Sequence, residues 1–407
     1  MKNRVRGSNI TLKKENTLQE TVNEKSEIRE ILRQFQNGYT ERDIEKVDTF
    51  VEELFIMKED TCVLGTGTGE LFLGLGQVKS LIKNDWKYWG DIKIDLENVY
   101  IDNDNTVAWF ATTGNVKYIF ENTQEKYDSY LNFIKNKTEE SEINPKQKIT
   151  FINWVLALAY HQRLDKKREY LWPLRLSGVL LKDNGKWKFA NIHFSIPKAN
   201  FPDERFENSK EYIESYNNQN VIVEKYINNQ MTVEIKTLLK SFEIEIVGKK
   251  DISKELISKY FVIENNPYII STENQWCIGV GQIKEFFAVN NDYILSLDLE
   301  HTIVSKHNKV TWVTACGKLK QTVTEEELYE KVLGELGNLF QSDIKSEEKL
   351  FAIHRSIAYA LKESAAGADH TYPIRLTAVI LEHMGRPIFQ HIHFSFPFQW
   401  IFEGKNR

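Results

Sequence analysis

A histidine, an arginine and a serine recur at an interval of 200 residues. Segments 170–197 and 370–397 align without a gap, and 12 of their 28 positions are identical. Each segment has two runs rich in β-branched and aromatic residues around a glycine-bearing turn, which is the pattern of a β-hairpin. The repeated polar residues are Arg175/Arg375, His193/His393 and Ser195/Ser395. We therefore predict a duplicated domain in which each copy carries the same polar set.

This polar set is suited to acid–base chemistry. Every second residue of a strand lies on one face, so the arginine and the histidine of each hairpin share faces with polar neighbours. If those faces line a cavity, the imidazole can act as general acid or base, and the guanidinium can orient a carboxylate or an enolate-like oxygen. The catalytic candidates are His393, Arg375, His193 and Arg175. The structural alternative is that the histidines bond a neighbouring strand or tie down the C-terminal segment, and that Ser195 and Ser395 end the strands.

The two copies differ at positions that could bind a ligand. Glu70 of the first half corresponds to Gln275 of the second, and Asn191 corresponds to His391. An unpaired buried charge is costly, so we expect Glu70 to neutralise Arg175 inside a closed pocket. Arg375 would then be freer to take an anionic ligand, which makes the second half the better candidate. The ligand-binding candidates are Glu70, Gln275, His391, Asn191, Ser195 and Ser395.

Other motifs give weaker signals. The glycine run 65–69 lies between two predicted strands and is not followed by a helix, so turn glycines explain it better than a phosphate cradle. The pair His391 and His393 has no obvious third metal ligand, and the serines lack a nucleophile-elbow context. The three cysteines are widely spaced, which predicts buried thiols in a reducing compartment. We expect neither a metal nor an organic cofactor.

Composition limits the class of protein. The 407 residues are 41% hydrophobic with a formal net charge of −5, which lacks the basic character of nucleic-acid binders. The first residues are basic without an apolar signal-peptide core, and the longest apolar stretch, 151–160, is shorter than the roughly 20 residues of a membrane span. We expect a cytoplasmic protein with neither nucleic-acid nor membrane partners.

Hydrophobic periodicity predicts an α+β organisation. Residues 1–22 are polar and aperiodic and predict a flexible tail. The first domain is assigned to residues 23–199, with an insertion at 121–169 that includes an amphipathic helix. A polar linker at 200–230, in part helical, leads to the second domain at 231–400, which repeats the same order of helices and antiparallel strands.

Short motifs carry a resemblance to a known family. The run GTGTGE at 65–70, the Gly-Gln-Val-Lys turn at 76–79 and the closing Gly-Lys-Trp to Ile-His-Phe-Ser strand at 185–195 resemble the SnoaL-like branch of the nuclear transport factor 2-like superfamily. The closing strand also resembles that of the association domain of calcium/calmodulin-dependent kinase. The likeness covers roughly 24–120 with 170–197, and 232–323 with 370–397.

The resemblance implies two cones, each a curved, mostly antiparallel sheet wrapped around helices with an apolar pocket. Such domains dimerise through the outer sheet face, and the tandem would form this pair as an intramolecular pseudo-dimer. The leading prediction is a binding protein for a small apolar or carboxylate-bearing molecule, with lyase, isomerase or cyclase chemistry as an extension. The alternative is a non-catalytic assembly or partner-binding module with vestigial pockets. Any higher oligomer is left open.

Overall fold

The computed structural model describes residues 5–121, 124–162, 167–197, 210–226, 230–264, 266–273, 275–290 and 292–397. The helices of the first half are α1 (Val5–Glu41), α2 (Val47–Leu54), α3 (Gly74–Tyr88), α4 (Gln124–Glu139) and α5 (Pro145–Gln162). Helix α6 (Lys210–Tyr226) connects the halves. The second half contains α7 (Val233–Glu245), α8 (Lys254–Tyr260), α9 (Gly279–Val289), α10 (Glu325–Gln341) and α11 (Ser346–Ala365).

Seven strands in each half form a sheet. The first half has β1 (Cys62–Leu64), β2 (Leu71–Leu73), β3 (Asp91–Ile94), β4 (Tyr100–Asp104), β5 (Val107–Glu121), β6 (Lys167–Asp183) and β7 (Lys186–Ser195). The second half has β8 (Tyr268–Ile270), β9 (Trp276–Ile278), β10 (Tyr293–Leu297), β11 (Ile303–His307), β12 (Val310–Thr322), β13 (Asp369–His383) and β14 (Arg386–Ser395).

The two sheets have the same topology. The first has the order β2-β1-β7-β6-β5-β3 with β4 also on β5, and the second has β9-β8-β14-β13-β12-β10 with β11 also on β12. In each sheet the short first strand is parallel to the last strand, and the other pairs are antiparallel. The long closing hairpins turn at Asn184-Gly185 and Met384-Gly385, all with positive φ, as two-residue hairpin turns require. The domain duplication and the α+β class are confirmed.

One helix fills the concave side of each sheet. Residues Ile28, Leu32, Phe35 and Tyr39 recur along one face of α1 and are buried against the inner sheet face. In the second half Phe242 of α7 takes the place of Phe35, and each ring packs on the phenylalanine of the last strand. The inward-facing side chains of the long hairpins, such as Leu174 and Leu176, complete each core.

The outer faces of the two sheets pack against each other. Trp109, Val179 and Leu181 of the first half form one apolar cluster with Val310 and Trp312 of the second. Trp109 and Trp312, which hold equivalent strand positions, pack on this sheet face as the sequence predicts. The chain is therefore a pseudo-dimer closed within one polypeptide.

The segments between the long strands also join the halves. Helices α5 and α11 pack together, with Trp154 and Val155 of one against Ala358 of the other. The amphipathic helix of the 121–169 insertion is thus a repeated element, as predicted, but α4 and α10 were not predicted.

Two predictions about connecting segments have different outcomes. The linker prediction of a partly helical segment is confirmed by α6, whose Val223 packs on the first sheet while Gln219 donates to Cys316 Sγ at 3.1 Å in the second. Residues 5–22, predicted as tail, are instead the first turns of α1. No helix in the described ranges has the length and apolar character needed to cross a membrane.

Candidate functional site

The repeated polar set lies between the domains rather than inside the cones. Along β6 and β7 the core-facing residues alternate with Arg175, Ser177, His193 and Ser195, which therefore point out of the concave side. The corresponding second-half residues do the same on β13 and β14. All are buried because the other sheet covers them. The prediction that these faces point into a cone is wrong, and a catalytic role for His193, His393, Arg175 and Arg375 stays a prediction.

Each histidine reaches into the opposite domain. The ring of His393 lies between two serines of the first half, with Nδ1 2.8 Å from Ser177 Oγ and Nε2 2.7 Å from Ser195 Oγ. The ring of His193 lies 2.9 Å from Thr377 Oγ1 through Nδ1 and 2.8 Å from Ser395 Oγ through Nε2. The two imidazoles stack with their centroids 3.9 Å apart. The pseudo-two-fold relation therefore passes through this stacked pair.

The arginines extend this network through the two serines. Arg175 Nε donates to Ser195 Oγ at 3.0 Å, and Arg375 Nε donates to Ser395 Oγ at 3.2 Å. Each serine accepts from an arginine and still has its own hydrogen, which we assign to the bond with the histidine Nε2. We therefore assign the hydrogen of each ring to Nδ1. Two parallel series of hydrogen bonds result, each running from arginine to serine to histidine and then to a hydroxyl.

The histidines of this network are neutral. Burial is the main cause that holds the pKa of His193 and of His393 well below the usual value, and the nearby guanidinium groups add to it. Protonating either ring would place a donor opposite an oxygen that already donates. The network therefore stabilises the contact between the domains.

The guanidinium groups hold loops of the opposite domain. Arg375 donates through Nη1 to Gly67 O at 3.1 Å and through Nη2 to Thr66 O at 3.2 Å. Arg175 Nη1 donates to Ser271 O in the corresponding hairpin of the second half. These contacts are crossed: each arginine binds the β-hairpin of the partner domain. We call them the crossed arginine contacts.

The predicted partnership of Glu70 with Arg175 is corrected by this geometry. Glu70 accepts a hydrogen bond from Gly67 N at 2.6 Å, so its carboxylate folds back on its own hairpin. It is Arg375, from the second half, that reaches this hairpin. Arg375 is 4% exposed and bound to backbone oxygens, so the prediction that it is freer to take an anionic ligand is wrong.

Asn191 and His391 also lie at the interface, and they differ in their surroundings. Asn191 Nδ2 donates to Thr314 Oγ1 at 3.1 Å across the interface. His391 stacks on Tyr268 with the ring centroids 4.8 Å apart, and Ala111, the first-half counterpart of Thr314, belongs to the same apolar cluster as Tyr268. Burial alone lowers the pKa of His391 to about 3. Within the described part of the chain neither of its ring nitrogens has a hydrogen-bond partner.

A cavity does exist, inside the second cone. It measures about 70 Å³, and its apolar wall includes Phe286, Phe287, Leu295 and Phe394. Its polar lining residues are Ser271, Thr272, Glu273, Gln275, Asn290 and Tyr293. Gln275 is the one predicted ligand-binding residue that lines it, and its role there stays a prediction.

The β8–β9 hairpin forms one side of this cavity. Ser271 Oγ accepts hydrogen bonds from the amides of Glu273 and Gln275 at 3.2 and 3.1 Å, which fixes the turn. Ser271 O is the atom that Arg175 holds. The first domain therefore contacts the wall of the second domain's cavity directly.

Aromatic side chains fill the corresponding space in the first cone. Tyr39 and Trp89 are buried and pack edge to face, and Trp89 packs on Phe194. The strand registers of β3 and β10 make Trp89 equivalent to Asp292 and Gly90 equivalent to Tyr293. Tyr39 likewise gives way to Ile246, and α9 is one turn shorter than α3. Loss of these rings leaves the second cone emptier.

The sequence contains a signal for this cavity that motif reasoning missed. Aligning the repeats places Ile246 and Asp292 of the second half against Tyr39 and Trp89 of the first. The cavity-lining Glu273 and Tyr293 have no matching motif and were not predicted.

The predicted cysteine burial is confirmed, since Cys62, Cys277 and Cys316 are free and buried. Among the described residues no group of three histidine, cysteine or acidic side chains could hold a metal ion.

Three comparisons relate the chain to known proteins. The family model of the SnoaL-like domain matches residues 28–134. A search of curated proteins gives no match. A nuclear transport factor 2-like superfamily protein from Salmonella enterica serovar Typhimurium is 15% identical and covers 44% of this chain and 93% of its own, with a TM-score of 0.29.

Two further solved structures are similar to parts of the chain. A proposed dehydratase of the nuclear transport factor 2-like family from Streptomyces avermitilis is 11% identical to this chain, with a TM-score of 0.28. The match covers 43% of this chain and 97% of the dehydratase chain. A cystatin-like fold protein from Caulobacter vibrioides is 11% identical, with 42% and 87% covered and a TM-score of 0.26. The chain thus matches the SnoaL-like domain model at residues 28–134, and its second half has the same strand order as its first.

Proposed function

We propose that the protein binds a small, predominantly apolar molecule in the cone of its second domain. The cavity beside Tyr293 and Glu273 is the observation that carries this proposal. A single water needs about 10–15 Å³ of such space, so the roughly 70 Å³ present is room for a molecule of several heavy atoms. A mostly apolar wall with a few polar groups at one end is the usual composition of a ligand pocket.

The first domain serves, in this proposal, as a structural partner. Its own cone is filled by Tyr39 and Trp89, while its Arg175 holds the hairpin at the cavity wall. The assembly alternative therefore describes the first domain better than the second. Any acid–base chemistry would fall to the cavity-lining Tyr293 and Glu273, because the histidines lie at the interface.

A pair of neighbouring substitutions tests the pocket. Leu295 lines the cavity, and Ile294 on the same strand is 65% exposed. Leu295→Trp should fill the cavity and abolish the binding of small aromatic probes, measured by thermal shift with benzyl alcohol. Ile294→Trp should leave that binding unchanged because its side chain points away. The proposal fails if folded Leu295→Trp protein binds the probe as tightly as the wild type, or if the wild type binds none.

A further inference from the structure

The cavity has an acidic and aromatic lining. Among its described lining residues Glu273 is the charged one, and none is lysine or arginine. Three phenylalanine rings, Phe286, Phe287 and Phe394, form much of the wall. Aromatic faces attract cations through their quadrupoles. The lining therefore combines two features that favour positive charge.

Further acidic groups lie around the phenol of Tyr293. Burial raises the pKa of Tyr293, and the negative charges of Glu273, Asp292 and Glu363 raise it further. Glu363 is itself buried and accepts a hydrogen bond from Tyr372 Oη at 2.9 Å. Tyr293 stays a neutral hydrogen-bonding group in a negative environment. A carboxylate ligand would meet repulsion here, whereas an ammonium group would be stabilised.

We propose that the ligand of the second cone is a small amine, bound as its ammonium ion with an apolar, ring-sized body. The ammonium group lies at the hairpin end, near the Glu273 carboxylate and the Tyr293 hydroxyl. The apolar body lies against the phenylalanine rings and Leu295. This inference rests on the proposed binding function and adds the charge of the ligand to it. An amine takes the place of the carboxylate-bearing ligand that we expected from the arginine residues in the sequence.

Three probes of similar size test the charge preference. Benzylamine, benzyl alcohol and benzoate differ in the charge of one substituent, and their affinities can be compared by calorimetry near neutral pH with the full chain. We expect benzylamine to bind about tenfold more tightly than benzyl alcohol, and benzoate to bind most weakly. A Glu273→Gln variant should lose most of the amine preference while its affinity for benzyl alcohol is unchanged.

The Glu273→Gln change leaves the hairpin intact because Glu273 contributes its backbone amide, not its side chain, to the bond with Ser271. Glu285→Gln is the matched control, since this exposed acid lies on α9 outside the lining. It should retain the amine preference. Equal binding of the amine and the alcohol would overturn the inference but leave the binding function standing. Failure of all three probes to bind would overturn both.

Discussion

The crossed arginine contacts predict that each arginine protects a loop of the other domain. Arg175 and Arg375 hold equivalent positions on β6 and β13, yet Arg175 binds Ser271 O and Arg375 binds Gly67 O and Thr66 O. Replacing either by methionine keeps an apolar stem and removes the buried charge together with its hydrogen bonds. The two variants are therefore matched controls for each other.

The expected magnitude follows from the bonds removed. A hydrogen bond to a charged group contributes about 1.5–3 kcal/mol, and about 1.4 kcal/mol corresponds to a factor of ten. In Arg175→Met the amide exchange of the 268–278 hairpin should accelerate about 10- to 100-fold. Exchange of the 62–73 hairpin should stay near its wild-type rate. In Arg375→Met the pattern should reverse, with a loss at least as large because two carbonyl contacts disappear.

Hydrogen exchange followed by mass spectrometry reads both hairpins in one experiment. The amide of Ser271, bonded to Gln275 O at 2.9 Å, and the amide of Gly65, bonded to Glu70 O at 2.8 Å, are the reporters. Faster exchange of both hairpins to the same extent in either variant would indicate general destabilisation. Faster exchange in the arginine's own domain would contradict the crossed contacts. Either result would refute the reasoning.

Two further predictions concern buried polar groups. The pKa of His391 is lowered to about 3, and the pKa values of His193 and His393 are also lowered. Below about pH 6.5 the unfolded chain therefore binds protons that the folded chain does not. The free energy of unfolding falls as the pH falls. His391→Asn should remove about 2 kcal/mol of the loss between about pH 8 and pH 5, measured by denaturant titration. Tyr372→Phe should lower the free energy of unfolding by about 1–3 kcal/mol, because Glu363 loses a buried donor.

Each of these has its own control. His301→Asn is a control of opposite sign: despite burial, the pKa of His301 is raised by its bonds with Asp298 and Glu224, so the loss of stability toward acid should be steeper in this variant. An unchanged slope in His391→Asn would show that this ring is protonated in the folded protein. For the tyrosine, Tyr329→Phe removes a hydroxyl bonded to the exposed Glu325 at 2.6 Å, and it should cost much less. An equal decrease in the free energy of unfolding in Tyr329→Phe and Tyr372→Phe would contradict the importance that we assign to the burial of Glu363.

The sequence by itself determined the duplication and the fold class. Alternation along 170–197 and 370–397 requires two-faced strands, and the equivalent Gly185 and Gly385 lie in the same hairpin turn of both halves. Helix α4 escaped prediction because residues 121–149 are charged and rich in asparagine, and α10 is an exposed helix with no buried residue.

The candidate site was only half determined by sequence. Periodicity shows that Arg175, His193 and Ser195 share a face but not which side of the curved sheet that face covers. Both faces of the sheet are buried, one by α1 and the other by the second domain. The burial pattern and the residue types along the strands are therefore the same whether the polar face lines the cone or the interface.

Only the tertiary structure decided between a polar pocket and a polar interface. The decisive contacts join residues about 200 positions apart, such as Ser195 with His393, and form only when two curved sheets pack face to face. The same packing places Arg175 at the wall of the second cone. The cavity itself is the space left where Trp89 and Tyr39 have smaller or polar counterparts. Its presence depends on the volumes of packed side chains, which no sequence motif records.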